Sequence, residues 1–339
     1  MKQRNDSLDI AKGISLIFVM ISHGAGFLIP KVGYLAAAYY ISIFFIVSGY
    51  LYQANDNSYL KKRFKRLIYP YIFYTFILLI CYILYQLFFD KFSIIDSFKN
   101  FIKSFYSRNV LYYPYETNPN IHFFCLWNGP MWFLTAMFTS SIVYYFVIDK
   151  SLSNKKNFVI TFVLLLVATI LFSKLPILLP WSLDFAPMGA LFMISGTFFK
   201  KIKIDKIKPY IIFLLIIIYV LLVSKTPGIN LSVRSYGGYG IFGILKCYFI
   251  GVIGSLLCLY FSTLVSKIKI LKNIFSLIGK NTVIILSLHL MIFSIMNQIV
   301  GEEICMQLWY GFFQISFTIF ICLIIKKIFE FFHVKKSFL

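Results

Sequence analysis

Carboxylates are scarce in this chain. It has 12 Asp and Glu against 33 Lys and Arg, and charged residues of every kind fill only 13% of its 339 positions. It also lacks any low-complexity tract, and no polar stretch between its apolar runs is long enough for a water-soluble domain. With 60% apolar and 20% aromatic side chains, a globule in water is excluded, because no core of this size hides that much hydrophobic surface. Histidine is sparse as well, with four in all, so one inside an apolar run is conspicuous.

Apolar run length is what the chain has in abundance. A bilayer core of roughly 30 Å takes about 20 helical residues at 1.5 Å each. Ten runs approach that length: 10–29, 34–53, 67–89, 129–148, 157–173, 183–199, 208–224, 239–264, 280–299 and 307–330. The expected fold is therefore all-α, a polytopic integral membrane protein of about ten transmembrane helices forming one membrane-embedded domain over 1–339. Lys and Arg stay on the cytoplasmic side of short loops. With the N-terminus inside, 24 of the 33 fall in 1–12, 61–66, 150–156, 200–208, 267–280 and 326–336, which puts both termini in the cytoplasm. The plasma membrane is the expected location. The net charge of +21 then reads as topology and contact with anionic lipid headgroups. No nucleic-acid partner is expected, since the cations lie in short inter-helix loops and not on one soluble face. Cys125 and Cys305 would both face outside, where pairing between them is one option.

Ionisable groups inside a span are costly unless they face a cavity or a partner, so each is a functional candidate. Lys12 stands at the cytoplasmic mouth of the first span, and His23, eleven residues on, is about 16 Å deeper. His289 lies nine residues past Lys280, about 13 Å in from the same side and so at similar depth. An imidazole that titrates near pH 7 can take a proton from a hydroxyl. A single intramembrane histidine can equally be a packing group bonded to the next helix, but two at matched depth favour the first explanation. In YLKKRFKRLIYPY, 59–71, Arg63 and Arg66 are three apart and share a helix face if the third helix begins early. Guanidinium groups grip phosphate as a fork, so the pair suits a phosphate-bearing cytosolic ligand, although any Lys and Arg cluster would anchor topology there.

Several stretches, in order along the chain, resemble the acyltransferase-3 family of integral membrane proteins, and within it the sugar O-acetylases related to fucose 4-O-acetylase. LDIAKGISLIFVMISH at 8–23, with Asp9, Lys12 and His23, is similar to the family's opening helix. FFIVSGYL at 44–51, RFKR at 63–66 and GPMWFL at 129–134 resemble later elements. So do LPWSLDFAPMGALFMISG at 179–196 and IGKNTVIILSLH at 278–289. One departure is Lys12, where the family often has Arg, with the loss of bidentate geometry.

The resemblance implies an enzyme that moves an acyl group, usually acetyl, from cytosolic acetyl-CoA to a hydroxyl of a cell-surface or lipid-linked glycan. Acetyl-CoA is the one co-substrate implied, and no metal is expected. His23 inherits the central catalytic role, as base or as transient acyl carrier, with Asp9, Lys12 and His289 in its support. Arg63 and Arg66 inherit the coenzyme's phosphates, with Lys12 and Ser48 on the same cytosolic side. Acceptor contacts should be aromatic and polar, because sugar faces stack on rings and hydroxyls need hydrogen-bond partners. Trp132, Trp181 and Asp184 near the outer ends of their spans, and Asn230, Arg234 and Tyr236 in the loop 228–240, are the candidates. The tryptophans also fit an interfacial belt. Lys246, inside the eighth span, could snorkel or pair with Asp184, and the aromatic-rich loop 90–128 could be an acceptor lid or an amphipathic surface segment. The richness in Lys, Ile, Phe and Asn is that of AT-rich bacterial coding DNA. A transporter or flippase for a glycan or lipid-linked sugar is the competing reading, which ten spans and midplane polar groups also allow, although no inverted repeat is visible.

Overall fold

The computed structural model describes residues 6–24, 39–54, 56–88, 93–108, 110–111, 127–226, 228–238 and 240–334. Helices stand where the apolar runs lie. In chain order these are α1 (Asp6–His23), α2 (Ser42–Tyr50), α3 (Tyr59–Phe88), α4 (Ile94–Ser104), α5 (Trp132–Ser153), α6 (Lys155–Ser173), α7 (Ala186–Phe199), α8 (Pro209–Ser224), α9 (Gly240–Val265), α10 (Lys269–Lys280), α11 (Thr282–Val300), α12 (Glu302–Cys305) and α13 (Leu308–Phe331). Among the described residues, strand is limited to Ile229–Asn230 paired antiparallel with Ser235–Tyr236. Among the described residues, seven helices are long and apolar enough to cross a membrane: α3, α6, α9, α11, α13, and α5 and α7 with the 3₁₀ turns that precede them. The protein is an all-α polytopic membrane protein.

Bounds differ from expectation in ways that matter at the site. α1 ends at His23, where the Gly24 N–H closes on Met20 O at 2.8 Å, and 25–29 of the expected span lie outside the described residues. The expected span 34–53 contributes only the nine residues of α2, and 34–38 lie outside the described residues. α3 begins at Tyr59, eight residues ahead of expectation, with Pro70 inside it. An aspartate turn starts it: Asp56 Oδ1 accepts from Ser58 N at 3.1 Å, and Lys62 Nζ pairs with Asp56 Oδ2 at 2.9 Å. Two helices of more than ten residues appear where loops were expected. In α4, Ser93 caps the Asp96 N–H at 3.2 Å while Ile94, Ile95, Phe98 and Ile102 stay exposed, and in α10, Ile270, Ile274 and Leu277 do the same. Such amphipathic helices suit the membrane interface. The described part of the loop 90–128 is thus largely a surface segment.

α7 is the central helix. Of its spanning window 89% is buried inside the protein, against 17% for α6, which faces lipid. Two seams of glycine hold the helices that carry the site. A Cβ on Gly49 of α2 would stand 1.8 Å from Met193 O of α7, and one on Gly196 of α7 would stand 1.9 Å from Ile46 O. A Cβ on Gly13 of α1 would meet Phe275 O of α10 at 2.1 Å, and one on Gly279 would meet Asp9 O at 1.8 Å. Backbones approach this closely only where both helices are free of side chains at the crossing.

Candidate active site

The structure brings the two intramembrane histidines together. The rings of His23 and His289 are 5.4 Å apart between centroids and tilted by 49°. His289 is wholly buried, with Nδ1 2.9 Å from Leu286 O and 3.1 Å from Ile285 O of its own helix. A carbonyl only accepts, so Nδ1 carries the hydrogen, and in the neutral ring Nε2 presents a lone pair. That Nε2 has no hydrogen-bond partner among the described residues. His23 is exposed on a narrow cleft walled by Val19, Tyr40, Phe44, Trp132, Phe133 and Leu286. One imidazole is therefore reachable and the other stands behind it.

Towards the face that carries the Lys- and Arg-rich loops, the polar groups continue. Phe44 meets Phe133 edge-on at 5.2 Å on the cleft wall, and Ser48 lies one turn further along the same face of α2. Arg63 is half-buried, its Nε donates to Ser141 Oγ at 3.0 Å, and its Cζ stands 6.0 Å from the Tyr59 ring centre. The Tyr52 ring packs edge-on against Tyr59 at 5.1 Å and Tyr144 at 5.0 Å. Ser48 Oγ, Arg63 Nη2, Ser140 Oγ and the hydroxyls of Tyr52 and Tyr59 are buried with no partner among the described residues. Folded proteins pair nearly all such atoms, so a group of orphans on α2, α3, α5 and the turn after α2 marks a place completed by water or ligand. Arg66 is exposed, so of the two arginines only Arg63 turns its head into the bundle. Lys12 pairs with buried Asp9 at 2.6 Å beside the α1–α10 seam, and they lie about 16 and 21 Å of helix short of His23.

A family model described as an acyltransferase domain matches residues 5–327. The chain belongs to the acyltransferase-3 family. No curated protein and no solved structure matches it. This acyltransferase is thus a multi-pass membrane enzyme whose matched region takes in both histidines and Arg63.

Of the residues expected to contact an acceptor, only Trp132 lies on the His23 cleft of the acyltransferase, with its ring edge-on to Phe185 at 6.0 Å. Asp184 is instead the centre of a buried ion cluster. Its carboxylate binds Arg108 Nη2, Arg234 Nε at 2.8 Å and the Leu179 N–H at 3.2 Å. Arg108 donates further to Leu179 O at 3.1 Å and Ser232 O at 2.5 Å, and Arg234 to Phe172 O, Leu175 O at 2.8 Å and Ile177 O at 3.3 Å. All three side chains are at most 1% exposed, so the cluster ties three segments together and leaves no room for a sugar. Trp181 is locked as well, at φ 55° with Nε1 donating to Phe105 O at 2.8 Å. Asn230 Oδ1 accepts from Ser232 N at 3.1 Å as a turn cap, and Tyr236 is buried. Lys246 is exposed, so it snorkels and does not pair with Asp184.

Sequence reading missed Arg108, which lies in a loop without periodicity. It also missed a cleft on the basic face lined by Ser7, Tyr50, Lys200, Lys203 and Asp205, where Lys200 Nζ donates to Tyr52 O at 3.0 Å. Asn281, between α10 and α11, bridges α10 to α13 through Leu277 O at 2.7 Å and Lys326 Nζ at 2.6 Å. Cys125 lies outside the described residues.

Proposed function

We propose that this acyltransferase carries an acetyl group from cytosolic acetyl-CoA to a hydroxyl of a cell-surface or lipid-linked glycan, as an O-acetyltransferase of a bacterial plasma membrane. The observation that carries the reading is an accessible imidazole, His23, at the end of α1 with a second imidazole behind it. Acetyl-CoA is too polar to enter lipid, but its pantetheine arm is long and thin. Phosphates held near Arg63 leave that arm to run past Ser48 and Phe44 towards His23. His23 removes the proton of the acceptor hydroxyl as the oxygen attacks the thioester carbonyl. The C–O bond forms, the C–S bond breaks, and the departing CoA thiolate takes its proton from the imidazolium.

The test is mass spectrometry of surface polysaccharide from cells lacking the protein, restored with the wild-type chain or with His23→Ala. Ester-linked acetyl that vanishes on deletion and returns only with wild type supports the reading and identifies the acceptor. Acetylation restored by His23→Ala removes His23 from the chemistry. Loss of the whole glycan from the surface turns the assignment to transport.

A further inference from the structure

On the side of the histidine pair away from Arg63, α11 and α13 enclose a set of amide and phenol groups that the acyl-transfer step above does not use. His289, Phe293 and Asn297 recur every four residues on one face of α11, which puts Asn297 about 12 Å beyond His289. Asn297 Oδ1 accepts from Gln314 Nε2 at 2.6 Å and from the Tyr310 hydroxyl at 3.2 Å. Gln314 and Tyr310 are buried. A Cβ on Gly24, the neighbour of His23, would stand 3.2 Å from Gln314 Oε1, so the network begins beside the reachable histidine and runs outward from it. At its outer rim Tyr85 donates its hydroxyl to Gln298 Oε1, and the Trp127 ring meets Tyr85 edge-on at 5.3 Å.

A network made only for packing would close on itself, because donors left unused between apolar helices cost free energy. This one does not close among the described residues: the half-buried Asn297 takes part through Oδ1 and leaves its amide nitrogen unused, and the buried His289 Nε2 lacks a partner. The open groups are of the kinds that bind hydroxyls, and no charged side chain belongs to the set. We infer that the acceptor is seated here. It is an uncharged polyol such as a glycan unit, whose hydroxyls meet the Asn297 amide while Trp127 and Tyr85 offer ring surface at the rim. A phosphate or carboxylate on the transferred-to ring would find no guanidinium or ammonium among these residues. The proposal rests on the acyl-transfer reading of His23.

The full chain in lipid nanodiscs tests it with acetyl-CoA and methyl glycosides of glucose, fucose, rhamnose and N-acetylglucosamine, reading free CoA with a thiol reagent and acetyl-CoA affinity by calorimetry. A glycoside should accelerate CoA release by the wild-type protein. Asn297→Leu and Gln314→Leu should raise its half-saturating concentration at least tenfold while acetyl-CoA affinity stays within twofold. Tyr85→Phe, which keeps the ring, should shift it about threefold. Unchanged half-saturation in Asn297→Leu overturns the site, as does an equal loss of acetyl-CoA affinity, which marks the network as structural. Stimulation by none of the glycosides overturns the polyol class. Failure of the wild-type chain to bind acetyl-CoA is a separate outcome, which removes the acyl-transfer reading and this proposal with it.

Discussion

The imidazoles of His23 and His289 stand 5.4 Å apart, yet only His23 opens on the cleft. His289 is pinned through Nδ1 to two carbonyls of its own helix, and the proposed mechanism gives it no proton to move. The two should therefore fail differently. Loss of a general base costs about 10²–10⁴ in rate, and His23→Ala is expected at the upper end of that range. His289→Phe keeps the ring volume and removes Nε2, and about a tenfold to hundredfold loss is expected. Acetyl transfer in membrane vesicles, normalised to inserted protein, checks both. Equal losses in the two variants would put His289 in the chemistry itself.

Arg63 and Arg66 are separated by exposure. Arg63 lies against Ser141 and Tyr59 with Nη2 unpartnered, while Arg66 is out in solvent. A hydrogen bond to a charged group contributes about 1.5–3 kcal/mol, so Arg63→Ala should weaken acetyl-CoA binding by about tenfold or more. Arg66→Ala should change it less than about threefold, because exposed pairs are screened. Arg63→Lys should not restore affinity, since an ammonium has no fork to present. Calorimetry on the three variants decides the matter.

How far the chain could be read in advance depends on whether a feature is local. Apolar run length and the rise per residue are local quantities, and they were enough for the long apolar helices and for the matched depth of His23 and His289. Asp184 was recognisable as an unusual carboxylate, but its partners Arg108 and Arg234 come from distant loops, and nothing in their surroundings marks them as its neighbours. α10 was hidden because twelve residues are too few for a span and its four-residue spacing of isoleucines was masked by lysines. Gln314 and Asn297 were open to reading as amides in apolar helices, a pattern that often signals an interhelical bond.

Asp184 should behave as a structural residue. Asp184→Ala leaves two guanidinium groups buried without their counter-charge, and breaking a buried pair in this way costs about 3–5 kcal/mol. The expected result is a large loss of folded, monodisperse protein in detergent and a lowered melting temperature. The folded fraction that remains should show an unchanged KM for acceptor. A raised KM in a fully stable Asp184→Asn protein would return the carboxylate to the acceptor site.

The glycine seams give the sharpest steric test, because the same substitution is forbidden at one position and tolerated at another. At Gly49 and Gly279 an added Cβ would overlap a backbone oxygen at 1.8 Å, and a backbone in a packed helix cannot step aside. Overpacking of this kind costs about 1–3 kcal/mol, so Gly49→Ala and Gly279→Ala should each lower the melting temperature. Gly24→Ala meets the end of the Gln314 side chain, Met20 O and a Phe293 ring carbon at 3.2–3.3 Å, contacts that a shift of a few tenths of an ångström relieves, and it should cost far less stability than the other two. Gly49 has a second consequence, because it lies next to Ser48, which is one turn beyond Phe44. Pushing α2 off α7 displaces the wall between Arg63 and His23, so Gly49→Ala should also weaken acetyl-CoA binding. Gly279→Ala, which disturbs α1 through Asp9, should lower transfer while leaving that binding closer to normal.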